Sequence, residues 1–90
     1  MTEPYPQPFV SIEVETYSGY KADERPVAFV HQGRRHEIVD ILDRWYQGGR
    51  SPRDQTLDYF KVRTTDDSVF ILRYNPLFQS WSLLATNPLL

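Results

Sequence analysis

His36-Glu37-Ile38-Val39-Asp40-Ile41-Leu42-Asp43-Arg44-Trp45-Tyr46-Gln47-Gly48 can be read in two ways, and the fold class turns on the choice. Ile38, Ile41, Leu42, Trp45 and Tyr46 trace a helical stripe that Gly48 would close as a C-cap. Read as extended chain, the same residues form one long strand. What lies upstream favours the strand. Val27-Ala28-Phe29-Val30-His31 is a β-branched and aromatic run that ends in a tight-turn sequence, and without a returning neighbour its backbone N–H and C=O groups would stay unsatisfied. A helix over 37–47 is the main alternative.

Gln32-Gly33-Arg34-Arg35 offers a two-residue turn of type II′ with Gly33 in its first central position. That turn sets His31 opposite His36, Phe29 opposite Ile38 and Ala28 opposite Val39, which pairs like with like on each face.

Working outward, Val10, Ile12, Val14 and Thr16 alternate with Ser11, Glu13 and Glu15, the period-two pattern of a strand with one wet face. Prolines 4, 6 and 8 make residues 1–8 a flexible leader, and residues 17–25 a connecting loop. Downstream, residues 48–57 read as a polar loop carrying Arg50 and Arg53. Strands are expected over residues 58–63 and 69–74. A three-residue Thr65-Asp66-Asp67 loop between them pairs Val62 with Phe70, Phe60 with Leu72 and Tyr59 with Arg73, whereas a two-residue loop would set Phe60 against Arg73. The longer loop requires a positive φ at Asp67. After an Asn75-Pro76 turn, Ser80-Trp81-Ser82-Leu83 alternates as a closing strand.

The expected fold is therefore all-β or mostly β: five to six antiparallel strands in a curved sheet or a small, partly open barrel, with Phe29, Ile38, Phe60, Val62, Phe70, Leu72 and Trp81 as core. Residues 9–85 form the single domain and 86–90 a tail. Ninety residues that are 40% hydrophobic suffice for one core and leave no room for a second. A formal net charge of −2 gives no bulk attraction to nucleic acid. With no cysteine, disulfides, thiolate zinc sites and cysteine nucleophiles are excluded. The N-terminus has no basic and apolar signal, and no run of about 18 apolar residues occurs, so a cytoplasmic protein with no membrane segment is expected.

Arg25-Pro26 with Phe29, Gly33-Arg34-Arg35-His36 with Ile38, Leu42-Asp43-Arg44-Trp45, Asp58-Tyr59-Phe60 with Val62, Phe70 with Leu72 and Trp81 with Leu83 together resemble an uncharacterised bacterial domain. That domain of unknown function occurs alone and, in related form, near the C-terminus of proteins similar to Y-family translesion polymerases. The resemblance spans roughly residues 9–84. It implies a β-rich domain and a DNA-maintenance setting, and it carries no catalytic residue; His36 stands where a bulky aromatic would be expected.

Candidate chemistry is sparse. His31 and His36, as expected cross-strand neighbours, lack a third metal ligand: Glu37 points to the opposite face and Asp40 lies four residues away. No metal or cofactor site is assigned. Asp40 and Asp43 would face opposite sides of a regular strand, which removes a paired carboxylate. Ser51, Ser80 and Ser82 have no neighbouring His and acid, and Gly48-Gly49-Arg50-Ser51 lacks the lysine of a phosphate loop.

A basic and aromatic set remains. Tyr59, Lys61 and Arg63 alternate along one face, Arg73 lies opposite Tyr59, and Arg34, Arg35 and Arg44 are near in sequence. Interleaved Asp40, Asp43, Asp54 and Asp58 temper that charge. Trp45 and Tyr46 cannot both face the core of a strand, so one is exposed or covered, either as a partner contact or with the tryptophan closing the barrel end. Leu83, Leu84, Leu89 and Leu90 read either as a docking strip or as the last strand and its fraying end. The expectation is a non-catalytic module that binds protein or nucleic acid through Tyr59, Lys61, Arg63, Arg73, Arg34, Arg35, Arg44 and Trp45. The alternative is a small-ligand or enzymatic barrel with an internal aromatic pocket near Trp45, Tyr59 and Trp81.

Overall fold

The computed structural model describes residues 9–18, 24–48 and 56–84. Six strands follow one another: β1 (Phe9–Ser18), β2 (Glu24–His31), β3 (Arg34–Gly48), β4 (Thr56–Thr64), β5 (Val69–Asn75) and β6 (Ser80–Leu84). Each pairs antiparallel with its neighbour in the chain, and β1 pairs with β6 to close the barrel. Closure goes beyond the partly open barrel expected, although β3 beyond Glu37 keeps one edge unpaired by another strand.

Two strands serve both halves of the barrel. Residues 9–12 of β1 pair with β6 and residues 13–18 with β2; residues 34–37 of β3 pair with β2 and residues 38–48 with β4. The leader 1–8, the tail and Arg50 and Arg53 lie outside the described residues. The expected loop over 17–25 is shorter at both ends, because β1 continues to Ser18 and β2 begins at Glu24.

The decisive stretch is strand, so the helical alternative over 37–47 is overturned. The register shifts twice, between Ile38 and Asp40 and between Ile41 and Asp43, each time by one extra residue on β3. Inward positions are thereby spaced by three instead of two: Ile38 faces Thr64, Ile41 faces Val62 and Arg44 faces Phe60. A doubly bulged strand thus carries the i, i+3 spacing of a helix in its sequence.

The β2–β3 turn also departs from expectation. Gln32 and Gly33 are the central residues, with φ of 54° and 77°, the two positive values of a type I′ turn. His31 faces Arg34 and Phe29 faces His36, so the expected pairings His31/His36, Phe29/Ile38 and Ala28/Val39 are replaced by a register two residues away. A two-residue shift keeps every side chain on its face, which is why like-with-like pairing failed to discriminate. The β4–β5 hairpin has the expected pairs, Val62/Phe70, Phe60/Leu72 and Tyr59/Arg73, and Asp67 has a φ of 68°.

Phe29, Phe60, Val62, Leu72 and Leu83 form the fully buried core, with Ile12, Val14, Ile38, Phe70 and Trp81 partly buried against it. His36 stacks on Phe29 at 5.0 Å between centroids and lies 5.3 Å from the Phe70 ring, so it occupies the place of an aromatic core residue. Thr64 is buried too; its hydroxyl donates to the Asp66 carboxylate, while its N–H donates to the Ser68 carbonyl at 2.9 Å. No helix in the described residues is long and apolar enough to cross a membrane.

Candidate functional site

The outer face of β4 presents Leu57, Tyr59, Lys61 and Arg63 in alternation, since Phe60, Val62 and Thr64 fill the inside. Antiparallel pairing sets Trp45 of β3 and Arg73 of β5 on either side of Tyr59. The Trp45 and Tyr59 rings stack nearly parallel, 5.3 Å apart with 6° between planes. Beyond Arg73 the row continues through Ser82 and Ser11. Those small side chains leave room for the Arg73 guanidinium to reach the Phe9 ring, 3.9 Å from its centroid. Phe9 in turn meets Tyr59 edge-on at 6.2 Å.

The result is an open groove of about 550 Å³ on the outside of the barrel, walled by Phe9, Trp45 and Tyr59 and lined with Leu57, Ile71 and Leu84. Gln47 and Gly48 also line it. Apolar side chains thus gather on an outward face, where charges are usual.

The groove brings together only part of the expected site. Tyr59 and Trp45 line it, Arg73 flanks it over the Phe9 ring, and Lys61 adjoins it as the cross-strand neighbour of Ile71. Arg63 is held instead by Asp40 and by Asp67 at 3.3 Å. Arg44 is turned inward: its guanidinium lies 4.7 Å from the Phe60 ring and 5.4 Å from Tyr46, and pairs with Asp58 at 3.6 Å. It was expected among the binding residues, yet it shares the inward side of Ile38, as it would in a regular strand, because the two bulges reverse the faces twice and cancel. Arg35 serves the other half of the barrel, bridging Glu15 at 2.8 and 2.9 Å and Glu37 at 2.8 Å. That bridge spans the row of Ala28, which is fully buried between Glu15 and Glu37. Arg34 sits beside the β2–β3 turn, opposite His31.

The same bulges put Asp40 and Asp43 on one face, contrary to the expectation from a regular strand: Asp40 faces Arg63 and Asp43 faces Lys61. They do not thereby become an acid–base pair. Asp40 binds Arg63, and an Asp43 oxygen accepts the Arg44 N–H at 2.8 Å. Two carboxyls elsewhere are held below their usual range: Glu15, chiefly by its hydrogen bonds from Arg35, and Asp66, chiefly by the Thr64 hydroxyl and then by backbone donors. Among the described residues no group of three or more His, Cys, Asp or Glu is placed to hold a metal.

Phe9, Leu57, Ile71 and Gln47 were absent from the expected site. The β4–β5 register contained the signal for Ile71, which it places opposite Lys61. Phe9 had no such signal, because it joins the groove only through the pairing of β1 with β6. No protein-family model, curated protein or solved structure matches the chain.

Proposed function

We propose that this chain is a non-catalytic protein-recognition module whose partner docks on the outer groove formed by Phe9, Trp45 and Tyr59. The observation that carries the reading is the groove itself, where three aromatic rings and three aliphatic side chains converge on a face that would otherwise be solvated. Nucleic acid fits the charge distribution less well. Of the cations expected to form a rail, Arg63 is neutralised by Asp40 and Asp67, Arg35 by Glu15 and Glu37, and Lys61 faces Asp43. Fully buried Phe29, Phe60, Val62, Leu72 and Leu83 occupy the barrel interior, and the groove lies outside it, which weighs against a small-ligand or enzymatic site inside. The resemblance to a bacterial domain that occurs, in related form, near the C-terminus of proteins similar to translesion polymerases supports a genome-maintenance setting for the partner.

Site-specific photo-cross-linking in cells tests the reading. With p-benzoylphenylalanine at position 47, on the groove lining, a discrete protein adduct is expected; the same probe at position 13, on an exposed part of β1, should give none. Equal labelling at both positions, or salt-sensitive binding of an oligothymidine by the purified protein with no adduct at position 47, would sink it.

A further inference from the structure

We infer that the groove takes a proline-rich segment of its partner in the extended polyproline II conformation, an inference that rests on reading this groove as a protein-recognition surface. The chemistry of such a segment is distinctive. It offers apolar ring faces and backbone carbonyls, and its prolines bring no N–H donors. A complementary site supplies aromatic faces to stack on the rings and side-chain donors to meet the carbonyls.

This groove supplies both. Trp45, Tyr59 and Phe9 provide the faces, and the Trp45 indole N–H, the Tyr59 hydroxyl and the Gln47 amide provide donors. Among the described residues none of those three donors is engaged by a protein acceptor. Among the described residues no carboxylate lines the groove to repel carbonyl oxygens.

Other modes of peptide capture fit less well. Strand addition would use the edge of β3 beyond Glu37, which pairs with β4 alone, whereas the groove lies on the outer faces of β3, β4 and β5 rather than along that edge. Helix-in-groove binding seats an apolar i to i+7 stripe, which would leave the polar donors of this groove unmet. A single extended chain is the shape that remains.

The test is a titration of the isotope-labelled full chain, followed by amide and indole NMR, with dodecaproline and separately with a proline dodecamer bearing leucine at every third position. Saturable shifts are expected at the Trp45 indole, the Gln47 side-chain amide, Leu57 and Ile71, with Phe29 and Leu72 unmoved. Trp45→Ala should weaken binding by about tenfold or more. Tyr59→Phe, which keeps the ring and removes only the donor, should weaken it by about threefold, as expected for the loss of one neutral hydrogen bond. Unchanged spectra with both peptides at millimolar concentration, or shifts centred away from the groove, overturn the inference. A protein adduct at position 47 alongside unchanged spectra leaves the recognition surface standing and removes only the proline-rich occupant. Absence of both removes the two together.

Discussion

At Thr64 a single hydroxyl ties a turn to the core. The residue is buried at the end of β4, and its hydrogen bond is the main reason the Asp66 carboxyl titrates below its ordinary range. The sign of the consequence follows from linkage. An aspartate with a depressed folded-state pKa adds stability that is fully present above its unfolded pKa of about 3.9 and is lost as pH falls through the folded value. Glu15, depressed by Arg35, acts in the same direction. Urea midpoints should therefore fall between about pH 5 and pH 2, where both carboxyls take up protons on unfolding. Thr64→Val should be less stable than wild type at pH 6, and the gap should narrow at pH 3. A gap that stays constant with pH would show that the hydroxyl acts through packing alone.

At the scale of elements, the β2–β3 turn permits a clean test of backbone conformation. Gly33 has a φ of 77°, and a Cβ built there meets nothing within 4 Å. Any cost of Gly33→Ala is thus conformational rather than steric crowding by neighbours. About 1 kcal/mol of destabilisation is expected, read as a lower denaturation midpoint with an unchanged m-value. This turn and the next show how far elements were legible in the chain. The Thr65-Asp66-Asp67 loop could be chosen because the competing register differed by one residue and set Phe60 against Arg73, a contrast that sequence alone displays. The Gly33 register could not, because the rival pairing differed by two residues and left both faces intact. β3 was legible as a strand from its partner's needs, yet the bulges at Val39 and Leu42 were not. No residue there requires an unusual φ, and their effect is felt only against β4.

For the whole molecule, closure through β1 and β6 makes one cooperative unit. Leu83 is fully buried on the short last strand, where it faces Leu72 on one side and Val10 on the other. Leu83→Ala should cost about 2–5 kcal/mol, the range for a leucine truncated in a packed core. Because one core joins all six strands, unfolding followed by far-ultraviolet circular dichroism and by tryptophan emission should coincide in wild type and variant alike. Separate transitions would mean that the half containing β2 melts apart from the half containing β4 and β5.

Local alternation, turn chemistry and the absence of cysteine were enough to establish an antiparallel all-β chain with a single core and most of its strands, because those features depend on near neighbours and on the period of two. They also placed Tyr59 and Arg73 side by side, since one hairpin register decides that pair. Which side of β3 carries Asp40 and which carries Ile41, and whether Phe9 meets Tyr59, depended on bulges and on pairing between the first and last strands. Those contacts join residues far apart in sequence, so their geometry comes into being only when the barrel closes.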